Sequence, residues 1–295
     1  MAFLEALFLV IFWTWAFCAF LFLRNTFLPR LPITALPSAW QLPYEPVRFQ
    51  ATDGVWLAGW KIARDPQQPW IILCHGLGAN RADMLDIAAG LAQAGQNLLL
   101  FDFRAHGESQ GRTTSFGWVE QRDLQGALVF LGKQPDVPER PYGILGISMG
   151  GAVAIMVAAR DERIGAIAVD SSYTDLEASI GHHLKLLYHL PRDPFLWFAG
   201  SAYRLRFGVW PSRMAPIKEI TRISPRPVLI IQAEADPRIP SDQTRALIEA
   251  AREPKHLWVV PGTAHLGAYQ SDPEGYQRRL LEFFDTYLKT SPSIS

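Results

Sequence analysis

Residues 142–154 read YGILGISMGGAVA. A mostly apolar run, Tyr142 to Ile147, leads into Ser148, and small apolar residues follow from Met149 onward. The first half suits a strand covered on both faces and the second a buried helix. At the junction Gly146, Ser148 and Gly150 form G-x-S-x-G. That pattern holds a serine on a sharp strand-to-helix turn, where the flanking glycines let neighbouring backbone approach closer than a Cβ permits. A five-residue match carries little alone, so the reading depends on what surrounds it.

Working outward, short β-rich runs alternate with helical patterns. Strands are expected at 70–74 (WIILC), 97–103 (NLLLFDF), 142–147, 164–170 (IGAIAVD), 227–233 (PVLIIQA) and 256–260 (HLWVV). Helices are expected near 81–94, 117–132, 149–159, 242–251 and 273–288. Residues 47–51 and 55–62, joined through Asp53-Gly54, read as a hairpin. This alternation predicts an α/β fold with a mostly parallel central sheet and helices on both faces. Between Asp170 and Pro227 no sheet-like run occurs, and LKLLYHL and FLWFAGSAYRLRF fall there. A segment that long is expected to be separately structured, and residues 175–222 are read as a helical cap over the carboxyl edge of the sheet, where ligands bind in such folds.

A serine hydroxyl needs a base to take its proton, and the base needs an acid to orient it. With this motif the acid follows a late strand and the histidine the last one. Asp236 stands just beyond PVLIIQA and His265 just beyond HLWVV. The oxyanion requires two backbone N–H donors, assigned to Met149 at the helix start and Leu77 in the His75-Gly76-Leu77-Gly78 turn after the first parallel strand. Asp170, which also ends a strand, is the alternative acid.

HGLGAN at 75–80, FDFRAHGES at 101–109, GISMGG at 146–151, Asp236-Pro237-Arg238-Ile239-Pro240 and GTAH at 262–265 together resemble the α/β-hydrolase superfamily. The likeness is greatest to membrane-anchored serine hydrolases of the α/β-hydrolase-domain-containing group, related to serine aminopeptidase-like and prolyl-oligopeptidase-type catalytic domains. It covers residues 45–288. The resemblance implies Ser148 as nucleophile, His265 as base and Asp236 as acid, in agreement with the reading of the residues themselves. Ala233 departs from the glycine that relatives often carry before the acid.

The chain begins differently. Residues 6–23, ALFLVIFWTWAFCAFLFL, hold no charge, proline or glycine, a length suited to a membrane-spanning helix. A cleaved signal is the rival, but Glu5 precedes the run in place of a basic region and no A-x-A pattern follows. Arg24 and Arg30 follow the run and no Lys or Arg precedes it, which places the rest of the chain on the cytoplasmic side. The organisation expected is an N-terminal anchor (1–24), a proline-rich linker (25–46) and the hydrolase domain (47–290).

The 28 basic and 28 acidic residues balance, and no run of Lys or Arg offers a surface to nucleic acid. Cys18 and Cys74 lie in unrelated segments and are not expected to pair. No cofactor is needed. No metal is expected either, since the adjacent His182 and His183 diverge by about 100° on a helix. His75 is read as a brace for its own loop, and Asp102, Arg104, His106 and Glu108 as a structural cluster. The cap residues Leu187, Tyr188, Phe195, Leu196, Trp197, Phe198 and Trp210 are candidates either for an acyl pocket or for packing the cap. The expected activity is ester hydrolysis, with lipid or long-chain acyl esters favoured by the anchor and the aromatic cap. A thioesterase or peptidase would use the same residues, and a non-catalytic membrane-tethered binding protein is the alternative from another class. No protein partner is assigned.

Overall fold

Asp53 and Gly54 turn the chain between β1 (Glu45–Gln50) and β2 (Trp56–Ile62) in the computed structural model, which describes residues 1–289. The residue that was to end the hydrolase domain, Thr290, lies outside the described residues. β1 and β2 pair antiparallel, with Glu45 opposite Lys61 and Gln50 opposite Trp56. The remaining strands are β3 (Trp70–Cys74), β4 (Asn97–Phe101), β5 (Tyr142–Ile147), β6 (Ile164–Asp170), β7 (Val228–Ala233) and β8 (Lys255–Val260). Among the described residues they form one eight-stranded sheet in the order β1-β2-β4-β3-β5-β6-β7-β8. β2 meets β4 antiparallel, and every pair from β4 onward is parallel.

The helices are α1 (Ala2–Thr26), α2 (Leu85–Gln93), α3 (Gln121–Leu131), α4 (Met149–Ala158), α5 (Leu176–Tyr188), α6 (Phe195–Phe207), α7 (Pro216–Glu219), α8 (Ser241–Ala250), α9 (Gly267–Ser271) and α10 (Pro273–Leu288). Strand residues alternate between two buried layers. Ile72, Leu99, Ile144 and Ile167 pack with Leu124, Leu128 and the wholly buried α4 on one face. Ile71, Leu73, Leu98, Leu100 and Leu145 pack with Leu85, Leu91, Leu280 and Phe284 on the other. α10 shows how sequence places such a helix. The Asp272 carboxylate accepts from the Gly275 N–H at 2.9 Å, Pro273 opens the first turn, and Tyr276, Leu280, Phe284 and Leu288 recur every four residues toward the sheet.

Two of the expected elements are cut short by local hydrogen bonds. β4 stops at Phe101 because Asp102 turns its carboxylate to the N–H groups of Arg81 and Glu108, both at 2.8 Å. α3 starts only at Gln121. Before it, Phe116 and Gly117 have positive φ, and buried Glu120 accepts from the N–H groups of Ser115 and Gly117, both at 2.9 Å.

The interval between β6 and β7 is helical, carried by α5, α6 and α7 with one short 3₁₀ turn before α7 and another after it. The N-terminus, read from sequence as a unit apart, is joined to this cap. Cys18, Ala19, Phe22 and Thr26 of α1 are buried, Trp15 Nε1 donates to Ser201 Oγ at 2.7 Å, and Asn25 Nδ2 donates to Tyr188 Oη at 2.9 Å. The proline-rich stretch is held as well. Its prolines deny it a ladder of its own, and Asn80 Nδ2 serves the Leu31 and Pro32 carbonyls at 3.3 and 3.2 Å. Arg30 in turn donates to the carbonyls of Gly107, Ser109 and Gly111.

Candidate active site

Parallel register brings the carboxyl ends of β3, β5 and β6 side by side, with Cys74 opposite Gly146 and Ile147 opposite Asp170. The residues after those ends therefore share one edge. Ser148 sits there at φ 52° and ψ −114°, a conformation disfavoured for a residue with a side chain. Its N–H donates to the Asp170 carbonyl at 2.8 Å. The two glycines of the motif are forced by contact. A Cβ on Gly146 would stand 2.5 Å from the Gly150 carbonyl oxygen, and one on Gly150 would stand 2.2 Å from that of Cys74.

His265 and Asp236 come from the loops after β8 and β7. Those loops are tied together by Ala235 N–H to the Thr263 carbonyl at 2.9 Å and by Gly262 N–H to the Glu234 carboxylate at 3.0 Å. The result is a 2.6 Å contact between His265 Nδ1 and Asp236 Oδ2. Asp236 Oδ1 accepts from the N–H groups of Arg238 and Ile239 at 2.8 and 3.0 Å, so the carboxylate is held at both oxygens. With Nδ1 engaged, Nε2 is the imidazole nitrogen left to take a proton. No hydrogen bond among the described residues joins Ser148 to His265, but both line the same cavity.

Asp170, the alternative acid, has other partners. It is 2% exposed and accepts from Ser171 Oγ at 2.9 Å and Tyr276 Oη at 3.0 Å. Burial raises its pKa to about 6.

The loop carrying Leu77 packs against the serine turn, since a Cβ on Gly76 would lie 3.5 Å from the Ser148 Cβ. Neither the Leu77 nor the Met149 N–H has an acceptor among the described residues. Two buried histidines brace this loop. His75 Nε2 accepts from the Phe103 N–H at 3.0 Å and its Nδ1 donates to the Gly76 carbonyl at 2.7 Å. His106 Nε2 accepts from the Gly78 N–H at 3.1 Å and its Nδ1 donates to the Arg104 carbonyl at 2.8 Å. Burial pushes the His75 pKa down to about 3 and lowers that of His106, so both rings are neutral and share one tautomer. Around them Arg81 pairs with Asp102 and Glu108, and Arg104 with Asp53 and Asp123. The charged residues after β4 are thus consumed structurally, as their sequence context suggested.

The cavity measures about 300 Å³. Of the seven cap candidates Leu187, Tyr188 and Phe195 line it. Leu196 and Phe198 are buried in cap packing, Trp210 lies over Gly200, and Trp197 faces outward. His183 also lines the cavity, its Nδ1 bonded to the Ser179 carbonyl at 2.8 Å. The sequence reading missed one wall entirely: Cys18, Leu21, Phe22 and Asn25 of α1. Their i, i+3, i+4, i+7 spacing puts them on one helix face, but a helix apolar on every side gives no hint of which face is used.

The model of the alpha/beta hydrolase family matches residues 71–278. The chain belongs to that family. As an alpha/beta hydrolase it is 31% identical over 231 residues to the uncharacterized protein YqkD of Bacillus subtilis, covering 78% of this chain and 75% of that one. It is 28% identical over 271 residues to the alpha/beta hydrolase domain-containing protein WAV2 of Arabidopsis thaliana, covering 87% and 82%. Among solved structures, the esterase Pf2001 of Pyrococcus furiosus superposes with a TM-score of 0.75 at 26% identity, over 89% of this hydrolase and 98% of that chain.

Proposed function

We propose that this alpha/beta hydrolase is a membrane-anchored serine esterase. The observation that carries the reading is the His265–Asp236 pair at 2.6 Å, with His265 and a serine on a strained turn both lining one largely apolar cavity. Ser148 Oγ attacks the ester carbonyl as His265 Nε2 takes its proton. The oxyanion is received by the Leu77 and Met149 N–H groups, each contributing about 3 kcal/mol to the transition state. His265 then returns the proton to the leaving alcohol. Water, deprotonated by the same imidazole, releases the acid and restores the serine. Asp236 holds the ring and stabilises the imidazolium. No cofactor enters this sequence. An ester substrate accords with the esterase likeness, and the apolar lining suits an acyl chain.

α1 serves as a retained anchor, with the catalytic domain on the cytoplasmic side following Arg24 and Arg30. Its most apolar window has a mean hydropathy of 2.4, and it supplies a cavity wall that cleavage as a signal would remove. The test is labelling of the full chain by a fluorophosphonate. Labelling is expected in the wild type and absent in Ser148→Ala; a folded wild type that does not label overturns the reading. Matched ester, thioester and peptide panels then read the bond cleaved, and a preference for peptide overturns the ester assignment.

A further inference from the structure

α1 and the cap touch over a length that fixes how deep the cap sits. The part of α1 clear of the cap, residues 2–14, is about 20 Å long at 1.5 Å per residue, short of a hydrocarbon core of roughly 30 Å. From Trp15 onward the helix is engaged: Trp15 reaches Ser201, Cys18 and Ala19 are buried, and the Phe22 and Tyr203 rings meet at 5.8 Å. For α1 to cross a bilayer, its cap-bound end must enter as well, and the cap enters with it. Ala19 lies about 6 Å before Leu23, the end of the uncharged run, and interfacial helices sit about 5–10 Å into the headgroup–acyl boundary.

The outer surface of the cap matches that depth. α6 carries no charge from Phe195 to Tyr203, and Arg204 and Arg206 fall in its last turn. Trp197 and Leu205 are 59% and 78% exposed. They share a helix face with Ser201, the residue bonded to α1. Leu187 and Tyr188 line the cavity and also face outward, and Tyr188 is bonded to Asn25, where the apolar run has given way to Arg24 and Asn25. The mouth of the cavity therefore stands at the level where α1 meets the membrane boundary, the level favoured by tyrosine.

We propose that α5 and α6 are seated in the leaflet beside α1, and that the cavity draws the acyl chain of a membrane lipid directly from that leaflet along the face formed by Cys18, Leu21 and Phe22. This inference rests on the anchored-esterase reading above. Its surface continues that of α1, so its occupant is the bilayer.

The test uses the full chain in phosphatidylcholine vesicles, with a long-chain acyl ester dissolved in the bilayer and an acetyl ester in the water. Trp197→Glu/Leu205→Glu puts charge on the seated face without altering any cavity-lining residue. The bilayer ester is expected to be cleaved about tenfold more slowly and the acetyl ester within about twofold of wild type, because a charged face is expelled from the boundary. An equal loss on both substrates, or no loss on either, overturns the proposal. So does a wild type that labels with fluorophosphonate and cleaves only the acetyl ester. A wild type that neither labels nor cleaves any ester instead removes the esterase reading beneath it. Independently of catalysis, a nitroxide on Trp197→Cys is expected to collide more with membrane-dissolved oxygen than with a water-soluble paramagnetic chelate. The reverse order overturns the seating.

Discussion

His265 Nδ1 and Asp236 Oδ2 meet at 2.6 Å although their loops follow different strands, β8 and β7. Two backbone N–H groups fix the carboxylate on its other oxygen, which suits Asp236 to the role of orienting acid proposed for it. Asp236→Asn presents an amide to Nδ1 and favours the tautomer whose Nε2 carries the proton. The kcat for a good ester is expected to fall about a thousandfold to ten-thousandfold with the fold retained, measured by turnover and circular dichroism. A loss below tenfold would show that Asp236 is not the orienting acid.

Ser148 holds φ 52° and ψ −114° at the site proposed for the nucleophile. Such strain costs on the order of 1–3 kcal/mol, and a glycine relieves it. Ser148→Ala and Ser148→Gly are both expected to be inactive, with the glycine variant the more stable by about 1 kcal/mol after its greater unfolded-state entropy is counted. Denaturant unfolding of the two variants measures the difference. Equal stability would mean that the turn stores no strain.

The placement of the proposed site was legible because strand ends carry it. Ser148, Asp236 and His265 each follow an apolar run that can be read locally, and parallel pairing does the rest. What was not legible depends on faces. In α1, exposed Phe17 and Phe20 alternate with buried Cys18, Ala19 and Phe22. All are apolar, so the pattern carries no stripe to show that one side closes a cavity. The same degeneracy hid the division in the cap between Phe195, which lines the cavity, and Trp197, which faces out. The bracing role of His106 was hidden differently, because its partner Gly78 lies 28 residues away in sequence.

The α1 wall has a direct consequence for chain length. Leu21 is half-buried and borders the cavity. Leu21→Trp puts an indole into a space of about 300 Å³. The ratio of kcat/KM for long-chain over acetyl esters is expected to fall about tenfold, in line with the 10–200-fold discrimination that a small change in an apolar pocket gives. An unchanged ratio would place the acyl chain elsewhere.

Asp170 gives the pH dependence a sign. Its carboxyl, buried beneath the site, has its pKa raised to about 6, above the ordinary carboxylate value. The folded state therefore holds this proton more tightly than the unfolded state does. The contribution to stability is full below about pH 4 and is lost as pH rises through about 6, amounting to roughly 3 kcal/mol. Asp170→Asn removes the charge while keeping groups that can bond Ser171 and Tyr276. Relative to wild type it is expected to gain stability between about pH 4 and pH 6 and to hold that gain at pH 7, followed by urea unfolding at each pH. A difference between the two proteins that stays constant across that range would show that Asp170 titrates alike in the folded and unfolded chains.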